Sequence, residues 1–415
     1  MGYFKDALNG VAWMGGLRGS TRILAYIKIA VLARLLGPEE FGIFGIASLV
    51  LAFLEIITET GINAFLIQED RDIRDYIDTA WIVSAARGLL ISLLIVILAK
   101  PISYFFNSPD SYEILLVACL IPLIRGFINP SIVKFEKNLE FNKVFYVRLL
   151  LFFADTLVTI ISAIVFKSAM VFLFGMIASA ILELIISFLY IKPIPKVKFE
   201  LSKIKHVVNR GKWLTLSGTL NYFYEQGDDA VVGKLLNSFS LGLYQMAYKI
   251  STLPLTEAGE IFYKVTFPVF VKIGGDLARL RKAFYKTTFA ISIFVIPISL
   301  VLFVLLEPFI LILLGANWLE IIPIIKILLI YGAARSISGM YSPLFLAVKK
   351  QEYISYILLI SVAGMAITIL PLIKIYGLAG AGMAVLFGWV ISLPLTIILV
   401  YKVLYKGTVK KRLII

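Results

Sequence analysis

The sequence predicts an all-α integral membrane fold, with twelve transmembrane helices in two parallel six-helix halves. Three observations carry that expectation. Hydrophobic residues make up 60% of the 415-residue chain and charged residues 16%, with a mean hydropathy of +0.93. Soluble domains sit nearer about 45–50% apolar and 25% charged. Runs long enough to cross about 30 Å of hydrocarbon, at about 1.5 Å per helical residue, recur along the whole chain. The basic residues are dense at every second joint and sparse at the others.

Taken in order, the spans are expected at 12–36, 41–65, 79–99, 112–133, 145–166, 169–190, 212–236, 241–265, 287–310, 321–348, 353–373 and 377–401. Pro and Gly punctuate the joints, at Gly37–Pro38, Pro109, Gly315 and Gly377. No stretch alternates apolar and polar residues over ten positions, which excludes a transmembrane barrel. The first run continues into a helical hairpin without a small-residue cleavage pattern, so it reads as a span rather than a leader. An even number of spans places both termini on one side. Joints on that side hold 25 of the 40 basic residues, against four opposite (Lys100, Lys167, Lys234, Lys374). The positive-inside rule makes that side cytoplasmic, for a multi-pass protein of the inner cell membrane. The same bias explains most of the +14 charge and implies anionic membrane lipid as a neighbour. Nucleic acid is excluded, because no basic domain lies outside the spans.

A repeat with an offset of 200 residues divides the chain. Residues 30–44 read AVLARLLGPEEFGIF and 230–244 read AVVGKLLNSFSLGLY, with Ala30/Ala230, Val31/Val231, Leu35/Leu235, Leu36/Leu236 and Gly42/Gly242 identical. Arg34 matches Lys234, Phe44 matches Tyr244, and upstream Trp13 matches Trp213. Six spans per repeat give the halves the same polarity, the parallel arrangement in which transport sites lie between repeats. The expected domains are an N-terminal lobe at 1–190, a basic linker at 191–211 and a C-terminal lobe with a short tail at 212–415. The linker is expected to carry an amphipathic cytoplasmic helix from Leu201 to Asn209.

The opening hairpin, with LARLLGPEEFGIFG at its turn, resembles that of the Wzx-type flippases of lipid-linked oligosaccharides. These belong to the multidrug/oligosaccharidyl-lipid/polysaccharide exporter superfamily. The resemblance extends through the basic mid-chain linker to a second hairpin, Asp228–Asp229 before VVGKLLNSFSLGLYQMAYKI. It implies two six-helix lobes around a central cavity opening alternately to either side. It also implies transport of a polyprenyl-diphosphate-linked glycan, with other polysaccharide-assembly proteins as partners.

Eleven basic residues fall within or at the edges of the spans. Arg34, Arg148 and Lys264 lie near span ends and can snorkel, and Lys326 is among the eleven. Arg18 and Arg22 share one face of span 1; Lys28, Arg87, Arg125, Lys249 and Arg335 complete the substrate-binding candidates. A charge at the bilayer centre costs about 2.5–3.5 kcal/mol on insertion scales, so these side chains should face protein or water. A guanidinium fork matches phosphate oxygens in pairs. The competing reading makes each cation the partner of a nearby carboxylate. Deep acids supply such partners: Glu55, Glu59, Asp155, Glu183, Glu225, Asp228, Asp229, Glu257 and Glu260. Apart from Glu183 and Glu260, they are the candidates for ion coupling or gating. Asp228 stands where the first half has Lys28.

No GxxxxGK[ST] loop, GxSxG elbow or HExxH pair is present, so no enzyme is expected. One cysteine, Cys119, and one histidine, His206, disfavour thiolate or imidazole metal sites. No cofactor is expected beyond possible coupling to a proton or sodium gradient. The leading expectation is a secondary transporter that flips the lipid-linked oligosaccharide by alternating access for cell-surface polysaccharide synthesis. The alternatives are a multidrug or cation exporter of the same superfamily, with an acidic cavity; a membrane glycosyltransferase or glycan polymerase, which needs large outward loops; and a non-transporting scaffold.

Overall fold

The computed structural model describes residues 2–62, 66–67, 74–198 and 201–406, and no side chains at 2–9, 74–75 or 201–217. Arg71, residues 407–415 of the tail and the side chains of His206 and Trp213 therefore lie outside the described residues. Among those described, the structure is helical throughout, with no strand.

The chain opens with α1 (Gly2–Leu35), which turns through Gly37 into α2 (Pro38–Ile57). Pro38 at the first helical position and Glu39 and Glu40 in the first turn suit the positive end of the α2 dipole. Then come α3 (Arg74–Phe105), α4 (Ser111–Ala118) and α5 (Leu120–Gly126). A 3-10 turn (Pro130–Val133) leads into α6 (Lys134–Lys137), α7 (Phe141–Phe166) and α8 (Met170–Leu189). The long α9 (Leu201–Leu235) and α10 (Ser238–Ile273) form the second hairpin. The remainder comprises α11 (Leu277–Val304), α12 (Leu306–Leu313), a 3-10 segment (Ala316–Ile321), α13 (Ile322–Ser338), α14 (Tyr341–Ala347), α15 (Gln351–Tyr376) and α16 (Leu378–Lys406). Asp276 caps α11 by accepting from the Ala278 and Arg279 amides. The left-handed Gly377 closes α15, its N–H bonded to the Ile373 carbonyl.

Eight helices among the described residues are long and apolar enough to cross a membrane, nine if one bent pair counts as a single span. The chain is therefore a multi-pass membrane protein. The other three expected spans, 12–36, 212–236 and 241–265, fall on α1, α9 and α10, of 34, 35 and 36 residues. They carry the charges singled out above, which lowers their mean hydropathy. The expected linker helix 201–209 forms the first turns of α9 rather than a separate element.

The bent pair corrects one expectation. In place of a straight span at 112–133, Ser111–Gly126 and Pro130–Lys137 meet at 66°. Pro130 interrupts the helix, and the fully buried Asn129 fixes the bend. Its side-chain amide donates to the carbonyls of Ser187, Ile191 and Pro193, while its backbone N–H donates to Ser187 Oγ. Its side-chain oxygen accepts from the Ser131 N–H, capping the 3-10 turn. Asn129→Ala strips several buried groups of their partners at about 1–3 kcal/mol each. Thermal unfolding in detergent should show a loss of several kcal/mol, with the first unit opening earliest.

The chain divides into two compact units: Met1–Gln226 with Asn237–Gly242, and Gly227–Leu236 with Leu243–Ile415. The first unit has a core of Ala47 and Leu51 from α2, Ile91 and Ile95 from α3, Leu115 and Ala118 from α4, and Leu173 from α8. In the second, α16 packs along α15 and α13, and Trp318, Tyr244, Phe270 and Phe345 are fully buried. Large apolar side chains also point outward, such as Phe289, Val304 and Ile312, about 70% exposed. Lipid covers such a surface without penalty because every helical backbone group is satisfied internally.

Candidate functional site

In the first unit, Glu55 and Glu59 lie one turn apart at the end of α2, and close helix approach brings two arginines to them. Each arginine directly precedes a glycine, as Arg87–Gly88 on α3 and Arg125–Gly126 on α5. A Cβ on Gly88 would collide with the Pro122 carbonyl oxygen, and one on Gly126 would crowd the Ser84 carbonyl. Only glycine allows α3 and α5 to run backbone to backbone here. Arg87 then caps α2: Nε donates to Thr58 Oγ1 at 3.1 Å and the guanidinium donates to the Glu55 carbonyl oxygen. This places a cation at the negative end of the helix dipole. Arg87 also pairs with Glu59 at 3.3 Å, and Arg125 with Glu55 at 3.4 Å.

These four side chains line a cavity of about 450 Å³ within the unit. Arg148 of α7, paired with Glu136 of α6 at 3.6 Å, and Glu183 of α8 complete its charged wall. Snorkelling alone did not single out Arg148 for this wall, and Glu136 was not expected there. The Arg-Gly dipeptides at 87 and 125 were the signal available in the sequence.

Lys28 and Asp155 meet elsewhere in the unit, where α1 packs on α7. Lys28 Nζ lies 2.7 Å from Asp155 Oδ2, with the side chains 14% and 16% exposed. Asp155 Oδ1 is buried with no hydrogen-bond partner. Arg18 and Arg22 lie half-buried on the preceding turns of α1, and Glu225 is half-buried near the end of the unit. None of these three lines the cavity.

The second unit holds two further groups. Asp228 and Asp229 are buried on the last turns of α9. Tyr244 Oη donates to Asp228 Oδ2 at 2.7 Å, and Gln245 Nε2 donates to Asp229 Oδ2 at 3.0 Å. The sequence reading missed both donors, which α10 supplies across the hairpin. Arg335 on α13 donates to the hydroxyls of Tyr248 and Tyr331, at 3.2 and 3.4 Å, and stacks 5.9 Å from the Tyr331 ring. Lys249 is exposed and Glu257 half-buried. The structure thus joins Arg87 and Arg125 with Glu55 and Glu59, pairs Lys28 with Asp155, and holds Asp228 and Asp229 with neutral donors. Among the described residues no three His, Cys, Asp or Glu side chains are grouped to hold a metal ion.

The family model described as "Polysaccharide biosynthesis protein" matches residues 31–323. The lipopolysaccharide biosynthesis protein WzxC of Escherichia coli (strain K12) is 25% identical over 345 residues, 83% of this chain and 70% of its own. The teichuronic acid biosynthesis protein TuaB of Bacillus subtilis (strain 168) is 22% identical over 365 residues, 85% of this chain and 73% of its own. The succinoglycan biosynthesis transport protein ExoT of Rhizobium meliloti (strain 1021) is 22% identical over 326 residues, 78% of this chain and 66% of its own. Among solved structures, the lipid II flippase MurJ in an inward closed conformation superposes with a TM-score of 0.74 at 17% identity, over 93% of this chain and 87% of that one. An inward-facing multidrug resistance MATE family transporter of the MOP superfamily gives 0.67 at 12% identity, over 94% and 96%. These two likenesses establish the fold. With the family model spanning well over half its length, the chain belongs to the polysaccharide biosynthesis protein family of membrane proteins.

Proposed function

We propose that this protein is a secondary transporter. It flips a polyprenyl-diphosphate-linked oligosaccharide from the cytoplasmic to the outer leaflet of the cell membrane, by alternating access, for cell-surface polysaccharide synthesis. Family membership carries the reading. The names of WzxC, TuaB and ExoT and a fold shared with a lipid flippase support it. In this reading twelve helices form two six-helix lobes around a central cavity, with both termini cytoplasmic. The charged α1, α9 and α10 are then the spans that face water rather than lipid. The chain moves its passenger without chemistry on it, and so is not an enzyme.

The head-group grip falls to Arg18 and Arg22. They share one face of α1, are half-buried, and remain charged at any relevant pH. Arg87, Arg125 and Lys28 face carboxylates, and Arg335 is held by two tyrosine hydroxyls. These residues suit positioning and gating. Coupling to a proton or sodium gradient falls to Asp228 and Asp229, whose burial favours a neutralising cation. The membrane potential adds about 2.3 kcal/mol per charge per 100 mV. In cells that depend on this chain for surface polysaccharide, Arg18→Ala with Arg22→Ala should lower export at least about tenfold, as expected for losing charge-assisted contacts. The protein should still reach the membrane in normal amount. Undiminished export by the double variant contradicts the head-group role.

A further inference from the structure

The charge balance of the first unit's cavity is wrong for an anion. Each of its three guanidiniums already faces a carboxylate: Arg87 with Glu59, Arg125 with Glu55, Arg148 with Glu136. Glu183 lines the same wall, half-buried, and has no ion-pair or hydrogen-bond partner among the described residues. Among the described residues, four carboxylates and three guanidiniums line it, one negative charge in excess. A diphosphate or a uronate would have to displace a paired glutamate and then sit beside it.

A hydroxyl-rich ring meets no such conflict. The pair distances of 3.3–3.6 Å exceed the roughly 2.7–2.9 Å of tight charge-assisted bonds. Each guanidinium has five N–H donors and each carboxylate about four lone-pair sites, so the loose pairs keep capacity to donate to and accept from sugar hydroxyls. Ile91, Val144 and Val147 give the wall apolar patches. A volume of about 450 Å³ lies within the roughly 300–1,000 Å³ usual for small-molecule sites.

We infer that this cavity is a saccharide subsite selective for an amine-bearing sugar, with Glu183 pairing the ammonium and the three Arg–Glu pairs holding the ring hydroxyls. The assignment rests on the saccharide-transport reading above and deepens it by naming which part of the passenger this cavity takes and which it rejects.

The test is equilibrium binding of three probes to the purified full-length chain in lipid nanodiscs: protonated glucosamine, methyl glucoside and glucuronate. Wild type should favour glucosamine over glucuronate by about tenfold or more, the worth of one charge-assisted contact. Glu183→Gln should erase the advantage of glucosamine over methyl glucoside while leaving methyl glucoside binding within about twofold. Glu183→Asp, which keeps the charge, should retain the advantage and guards against a folding artefact. The subsite is wrong if no probe binds, if glucuronate or inorganic pyrophosphate binds wild type as well as glucosamine does, or if Glu183→Gln leaves the preference intact. Flipping that persists while the sugar preference fails removes the subsite and leaves the transport reading. An intact sugar preference without any flipping does the reverse.

Discussion

Replacing Lys28 with methionine is expected to destabilise the first unit by about 3–5 kcal/mol, the range for a buried pair that loses one partner. Asp155 would keep a charge 16% exposed, with one carboxylate oxygen already unpartnered and the other losing its 2.7 Å bond to Lys28. The double variant Lys28→Met with Asp155→Leu should recover most of that loss, because two apolar groups of similar size carry no desolvation penalty. Chemical or thermal unfolding of the three variants in one detergent checks the cycle. Additive losses in the double variant contradict the pairing. The repeat gives this pair a second meaning. Where α1 has Lys28, α9 has the buried Asp228. The first unit pairs its carboxylate with a cation of the same bundle, and in the second the hydroxyl of Tyr244 and the amide of Gln245 donate to Asp228 and Asp229.

Gly42→Val is expected to cost more than about 3 kcal/mol, at or beyond the upper end of overpacking penalties, and to leave little folded protein. The two repeat-related turns meet backbone to backbone within the first unit. A Cβ on Gly42 would collide with the Ser238 carbonyl, and one on Gly242 with the Pro38 carbonyl. Pro38 and Ser238 are themselves 200 positions apart, as Gly42 and Gly242 are. The contact is thus reciprocal between matching positions of the repeat. Both carbonyls belong to the first turns of α2 and α10, so neither can yield without moving a helix. Gly42→Ala and Gly242→Ala should each be destabilising. Gly15→Ala, where nothing lies within 4 Å, should be neutral or slightly stabilising through helix propensity. Equal unfolding midpoints for Gly15→Ala and Gly42→Ala contradict the contact.

Much of the fold was legible as runs of hydropathy. The expected spans at 145–166, 169–190, 353–373 and 377–401 coincide with α7, α8, α15 and α16 to within a few residues. Length and apolarity decide such helices locally. The bend was missed although Asn129–Pro130 marks a local helix break, and the partners that fix it lie about sixty residues later in sequence. The break between α11 and α12 near Val304 also fell inside an unbroken apolar run expected as one span, 287–310. At the site, depth in the span flagged Glu55, Glu59, Arg87 and Arg125 singly. Which acid meets which base depends on the approach of α3 to α5 at Gly88 and Gly126, a tertiary fact. Arg148 looked like a residue that snorkels, yet it lines the cavity because α6 brings Glu136 to it. Tyr244 stood out only as the repeat match of Phe44, and Gln245 and Tyr248 not at all. A hydroxyl or amide has no depth anomaly to betray it until an aspartate or arginine is placed against it.

The head-group assignment meets its most direct test in proteoliposomes containing only this chain and a fluorescent polyprenyl-diphosphate saccharide. Wild type should move the lipid between leaflets, and Arg18→Gln with Arg22→Gln should slow that movement at least about tenfold. Lys192→Gln, a change to the basic mid-chain segment, should leave the rate unchanged. Equal rates for wild type and the Arg18/Arg22 variant contradict the guanidinium grip. No movement by wild type under an imposed potential or ion gradient contradicts transport itself.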